Sequence, residues 1–323
     1  MAKKSLKLLL FSFAIFFSCC IFGCCSKVQH NSPDAETTGN SEITSDSSEA
    51  EDTTPSASGS IADTTENPPE SVTDYIQNIT EETKNETVTS QDKNDPPKAF
   101  MDQLSDKLGK EKVEGYLKTI SEVELGTGKA PKDYFDNIVF LGDSTTYGLY
   151  AYGYVDYKQV WVPKNGTLAL FRATTDLLYD ATDGSELTLY EMALKHKPKY
   201  LIITLGVNGV SFLSEEAFTG YYESVILDIK KASPKTKIIL QTIYPLCANY
   251  DTSNGINNTV IFNGNGLIAE IAKRFKLPFL NTASEMVDEN GYRPQEYTNG
   301  DGLHLSPAGF EFVLSYIASH PYK

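Results

Sequence analysis

Ser144 is the side chain best placed to act as a nucleophile. It follows an unbroken apolar run, Ile138-Val139-Phe140-Leu141, and a glycine, Gly142. Such a run of β-branched and large residues bounded by glycine predicts a strand buried on both faces. A serine at the turn out of that strand has its hydroxyl pushed out at the carboxyl edge of the sheet. Open α/β sheets bind ligands at that edge, and the following helix offers unpaired N–H groups to an anion. Asp143 precedes the serine, and Thr145 or Thr146 could cap the next helix. A Gly-Asp-Ser triplet alone is weak evidence; its place directly after a buried strand raises it.

Two further groups carry chemistry. Asn208 stands after a second apolar run, Leu201-Ile202-Ile203-Thr204-Leu205, between Gly206 and Gly209. At the same sheet edge as a nucleophile, its amide could donate to an oxyanion, although Asn-Gly is also a common turn. Asp301 and His304 lie three residues apart in a loop. A carboxylate there can hold Nδ1 of the imidazole, fix its tautomer and leave Nε2 free to take a proton from a serine. The same pair could be a helix-entry loop or part of a metal site. His30, His196 and His320 supply no obvious third ligand, so no metal and no cofactor is expected. His196, between Lys195 and Lys197, reads as a surface residue facing a helix end. The order Ser, Asp, His without a Gly-x-Ser-x-Gly elbow argues against an ordinary α/β-hydrolase.

The elements that must position these residues alternate. Helical spacing over 99–108 and 112–123 places Phe100, Leu104, Leu108, Val113, Tyr116, Leu117 and Ile120 on apolar faces, with Gly126 and Gly128 beyond. Strands are expected at 138–141, 160–162, 199–205, 237–243 and 277–280, and helices at 187–196, 215–232, 259–275 and 306–317. Ser306-Pro307 is a capping serine with proline at the first helical position. The alternation predicts a three-layer α/β/α sandwich with a mostly parallel, flavodoxin-like sheet. Tyr147, Tyr150, Tyr152, Tyr154, Tyr157 and Trp161 crowd the stretch after Ser144. Aromatic faces could stack on sugar rings at the mouth of a site, or simply pack the helix onto its sheet.

The N-terminal part is of another kind. Lys3, Lys4 and Lys7 precede an uncharged run over 8–23, the pattern of an export signal. Ile21-Phe22-Gly23-Cys24 resembles a bacterial lipobox, which would make Cys24 the lipidated residue, with Cys19, Cys20 and Cys25 as competitors; an uncleaved membrane anchor is the alternative. Residues 26–98 hold 16 acidic and 4 basic side chains, and apolar residues appear singly. Such a stretch cannot bury enough apolar surface to offset its ordering entropy, so a solvated, disordered tether is expected. Its net charge is −12 of the chain's −15, which argues against nucleic acid and anionic lipid as partners. Residues 99–323 suit one domain with a single large core. Cys247, the one cysteine beyond residue 25, excludes an intrachain disulfide there and reads as a small buried hydrophobe.

Taken together, Gly142-Asp143-Ser144-Thr145-Thr146-Tyr147-Gly148, Gly206-Val207-Asn208 and Asp301-Gly302-Leu303-His304 resemble three blocks of the SGNH (GDSL) hydrolase family, in the family's order over most of 136–320. The resemblance implies Ser144 as nucleophile, His304 as general base and Asp301 as its orienter. It implies an oxyanion hole made of the Ser144 N–H, a glycine N–H and the Asn208 side chain. The glycine is Gly166, 22 residues after Ser144, with Gly184 as the alternative. The family often has Asp after the Asn, where this chain has Gly209. The implied function is that of a serine esterase, tethered by lipid at the extracellular face of a bacterial membrane. A monomer acting on a small ester or O-acetylated carbohydrate is expected. Acyl transfer onto wall glycan and non-catalytic glycan binding are the alternatives.

Overall fold

The computed structural model describes residues 97–323. The expected signal, Cys24 and the tether up to residue 96 lie outside the described residues. Five parallel strands form the central sheet: β1 (Ile138–Gly142), β2 (Val160–Trp161), β5 (Tyr200–Thr204), β6 (Lys237–Gln241) and β7 (Phe279–Leu280), in the order β2-β1-β5-β6-β7. β3 (Leu178–Tyr179) and β4 (Glu186–Leu187) make a separate antiparallel pair. The helices are α1 (Lys98–Leu108), α2 (Lys110–Val123), α3 (Ser144–Ala151), α4 (Leu189–His196), α5 (Glu215–Ala232), α6 (Asn258–Phe275), α7 (Thr282–Glu285) and α8 (Pro307–Ser319).

The two-residue period of the strands sorts the core into two layers. Leu141, Ile203 and Leu240 face one side, packed on Met192 of α4, Val225 and Ile229 of α5 and Ile268 of α6. Phe140, Ile202 and Ile239 face the other, packed on Leu149 of α3 and on Phe310, Val313 and Leu314 of α8. Each such aliphatic side chain contributes about 1.5–3 kcal/mol on burial. Both faces of the sheet are therefore covered, as the apolar runs predict, and the architecture is the expected α/β/α sandwich. In register, Gly142 lies opposite Thr204, which brings the ends of β1 and β5 level at the carboxyl edge. Ser144 and Asn208 leave the sheet from these neighbouring strands.

Boundaries differ where capping decides them. α2 begins at Lys110, two residues early, with Gly109 alone separating it from α1, and it ends at Val123 as expected. The Asn257 side chain accepts from Thr259 and Val260 N–H and starts α6 one residue early. Ser306 accepts from Gly309 N–H and Pro307 opens α8, as read from the sequence.

Candidate active site

The turn carrying Ser144 is held by close packing and a cap. A Cβ on Gly142 would lie 2.6 Å from Thr204 O and collide with the Thr146 side chain, so no larger residue fits between β1 and α3. Asp143 caps α3 by accepting from Thr145 N–H at 3.0 Å. Thr145 and Thr146, the expected caps, lie inside the helix instead, because Asp143 already takes the cap position and accepts from the Thr145 amide. Asp143 is 3% exposed. Burial pushes its carboxyl up to about 6, against the Thr145 amide and the field of His304, which favour the charged form. Ser144 is the first helical residue, so its N–H has no acceptor within the helix.

From the other end of the domain, the loop before α8 brings the acid–base pair to this turn. Ser144 Oγ is 2.9 Å from His304 Nε2, and His304 Nδ1 is 2.6 Å from Asp301 Oδ2. The carboxylate leaves Nδ1 as the donor, so Nε2 accepts from the serine hydroxyl. Asp301 Oδ1 accepts from Leu303 and His304 N–H at 2.7 and 2.8 Å, which closes the loop around the carboxylate. Burial alone would raise the Asp301 pKa; the hydrogen bonds from the His304 ring and the two amides outweigh it and hold the group below the usual carboxylate range. The three residues singled out from the sequence thus form one continuous relay.

The oxyanion donors are arranged less uniformly. Asn208 Nδ2 donates one hydrogen to Leu168 O at 3.3 Å, which orients the amide and leaves its second hydrogen available. Gly166 is buried, has φ of +77° and lies under the Tyr147 ring, where a Cβ would sit 3.0 Å from ring carbons. Its N–H, however, is donated to Pro163 O at 2.8 Å within its own turn. Gly184, the alternative, likewise donates to Asp180 O at 2.8 Å, in the β3–β4 hairpin. Neither glycine presents a free N–H, so the available donors are Ser144 and Asn208.

Of the other expectations, packing accounts for most of the aromatics and the reading of His196 is revised. The tyrosines after Ser144 mostly engage one another: Tyr150 stacks on Tyr157 with centroids 4.1 Å apart, Tyr147 meets both rings edge-on, and Tyr152 and Tyr154 pack on Phe310. Trp161 is buried in the core. His196 is no free surface residue; its Nε2 is 2.6 Å from the buried Asp180 carboxylate, which also takes Lys195 Nζ at 2.6 Å. Cys247 is buried, as expected.

Two features were not foreseen. A groove of about 520 Å³ has Asn208 on its wall, together with Asn165, Phe171, Ser211, Phe212 and Asn254. Phe171 and Phe212 are 37% and 66% exposed, in an edge-to-face pair 5.7 Å apart. Beneath the 301–304 loop, the buried Arg293 donates to Gly302 O and Leu303 O at 3.2 and 2.8 Å. Single aromatics in loops and an arginine in an aperiodic stretch carry no sequence signal that separates them from ordinary surface residues.

Comparison with known proteins bears on this arrangement. No curated protein matches the sequence. Among solved structures, a GDSL-like lipase from Bacteroides thetaiotaomicron shares 22% identity, covering 64% of this chain and 94% of that one with a TM-score of 0.39. A lipase/acylhydrolase from Enterococcus faecalis shares 22% identity over 56% of this chain and 92% of that one, with a TM-score of 0.37. The assignment rests on neither of these but on the model of the GDSL-like lipase/acylhydrolase family, which matches residues 140–312. Since that stretch exceeds half of the chain and runs from within β1 into α8, the chain belongs to the GDSL-like lipase/acylhydrolase family and is a hydrolase of ester bonds.

Proposed function

We propose that the protein is a serine esterase that removes acetyl groups from O-acetylated carbohydrate by way of an acyl-enzyme on Ser144. The observation that carries this reading is the relay from Ser144 Oγ to His304 Nε2, 2.9 Å, and from His304 Nδ1 to Asp301, 2.6 Å. As Oγ attacks the ester carbonyl, its proton passes to Nε2, and the carbonyl π electrons move to oxygen. The Ser144 N–H and the Asn208 amide stabilise that oxyanion. The imidazolium, held by Asp301, then gives its proton to the departing alcohol oxygen as the C–O bond breaks. Water repeats the sequence on the acyl-enzyme, releasing acetate and free Ser144.

The groove beside Asn208 supports a carbohydrate alcohol. The ring faces of Phe171 and Phe212 suit the C–H face of a pyranose, and the Asn165 and Asn254 amides suit its hydroxyls. The tyrosines after Ser144 are engaged instead with one another or with Phe310. The groove is open and mixed in polarity, unlike a closed apolar channel for a long acyl chain. Acyl transfer uses the same relay, with a glycan hydroxyl taking the place of water. The family assignment and the intact relay set aside the non-catalytic glycan-binding alternative.

In this reading the enzyme is lipidated at Cys24 and held at the outer membrane face by the acidic segment over 26–98. Among the described residues, no helix is long and apolar enough to cross a membrane. The test compares p-nitrophenyl acetate, butyrate and octanoate, together with acetate release from O-acetylated glycans, in wild type and Ser144→Ala. Acetyl preference and glycan deacetylation, both lost in the variant, are expected. Preference for octanoate, or no acetate from any acetylated glycan, would overturn the substrate assignment. A sugar acceptor that outcompetes water for the acetyl group would establish transfer.

A further inference from the structure

We infer that Arg293 is a positioning residue for the acid–base pair, clamping the carbonyls of the loop that carries Asp301 and His304. The inference rests on the proposed role of His304 as the base. Arg293 is 2% exposed. Its Nη2 donates to Gly302 O at 3.2 Å, to Leu303 O at 2.8 Å and, at the limit of a hydrogen bond, to His304 O at 3.5 Å. Its Nε and Nη1 are buried with no hydrogen-bond partner. Among the described residues no carboxylate forms an ion pair with it.

For stability alone this is a poor arrangement. A buried guanidinium without a paired carboxylate is costly, and an apolar side chain of similar volume in such a place is often neutral or stabilising. Burial accordingly pulls the Arg293 pKa down, opposed by the neighbouring Cys247 and Asp301. What the cation does supply is orientation. In the 301–304 loop every amide is held by a side chain: Asp301 N–H goes to Asn299 Oδ1 at 3.2 Å, Gly302 N–H to Thr298 Oγ1 at 3.0 Å, and Leu303 and His304 N–H to Asp301 Oδ1. On the acceptor side, Arg293 is the donor to Leu303 O, while it shares Gly302 O with Cys247 N–H at 3.0 Å and His304 O with Thr298 Oγ1 and Asn299 N–H at 3.0 and 3.1 Å. The loop is thus capped by a carboxylate on its donor side and a guanidinium on its acceptor side. This leaves Asp301 Oδ2 free to meet Nδ1 and points Nε2 at Ser144. Loss of Arg293 leaves Leu303 O, next to the base, without its donor and loosens the loop there, and a displacement of about 1 Å at a reacting group can lower a rate by about a hundredfold.

The experiment measures kcat, KM and thermal stability for Arg293→Met and Arg293→Lys with p-nitrophenyl acetate. The methionine variant should fold with a Tm no lower than wild type, and lose about tenfold or more in kcat at nearly unchanged KM. Lysine keeps the charge without the planar fork and should also lose kcat at nearly unchanged KM. A folded methionine variant with wild-type kcat would overturn the inference, as would a kcat loss no larger than its unfolded fraction. If methionine does not fold, a folded lysine variant decides: low kcat at unchanged KM supports the clamp, and wild-type kcat rejects it. His304→Ala is run alongside. Activity surviving in that variant refutes the proposed mechanism itself, whereas activity lost there but kept in Arg293→Met refutes only the role of Arg293.

Discussion

Asp143→Asn should make the protein more stable at alkaline pH, and by an amount that depends on pH in a defined way. The wild-type carboxyl is 3% exposed, and burial lifts its pKa from 3.8 to about 6. Because the folded value lies above the unfolded one, protonation favours the folded chain. The cost of the buried charge is present in full above about pH 6 and fades as pH falls toward the unfolded value. A shift of about two units corresponds to ~3 kcal/mol, of which about 1.4 kcal/mol develops between pH 5 and pH 8. Asparagine keeps an oxygen to accept from Thr145 N–H, so the start of α3 survives the change. Chemical denaturation of both proteins at the two pH values, each in a His304→Ala background, isolates the effect, since the imidazole whose field bears on Asp143 is then absent from both. The variant's stability relative to wild type should rise by ~1–2 kcal/mol from pH 5 to pH 8. A constant offset, or one that moves in favour of wild type as pH rises, would refute the argument.

Two further outcomes follow from the geometry. Asn208→Ala removes the side-chain oxyanion donor and should lower kcat by about a hundred- to a thousandfold with little change in KM, measured on p-nitrophenyl acetate. Asp180→Asn removes the carboxylate that takes Lys195 and His196, both at 2.6 Å, and Thr182 Oγ1 at the same distance. Burial raises the Asp180 pKa, but these hydrogen bonds outweigh it and hold the group well below the ordinary range. Its contribution is therefore present above the unfolded value near 4 and is lost as pH falls below that toward the folded value. With Lys195 partly exposed, the variant should lose about 1–3 kcal/mol at pH 7, and the loss should shrink below pH 4 in urea titrations.

The sheet could be read from the sequence because its strands are buried on both faces and carry unbroken apolar runs. The relay could be read because nucleophile and acid–base pair each sit where a strand or helix boundary is marked by Gly142 or by Ser306-Pro307. The β3–β4 hairpin could not: two-residue strands are too short to show a period, and with the hairpin went Asp180, the partner that takes His196 off the surface. The register of Gly166 was legible from its spacing, but the direction of its N–H is set by the turn back to Pro163. The tyrosine-rich stretch offered two readings, and the ring-on-ring stack of Tyr150 and Tyr157 shows packing as the main role. Phe171, Phe212 and Arg293 act through burial and exposure, which composition and periodicity in loops do not encode.

The most direct test of the mechanism is to stop the turnover of p-nitrophenyl acetate in acid, digest the protein and map the attached acetyl group by mass spectrometry. The account predicts one acetyl on the peptide containing Ser144, assigned to that side chain, present in Asn208→Ala at a lower rate of formation and absent from Ser144→Ala. Turnover without any acetyl at Ser144, or an equal yield from Ser144→Ala, would contradict it.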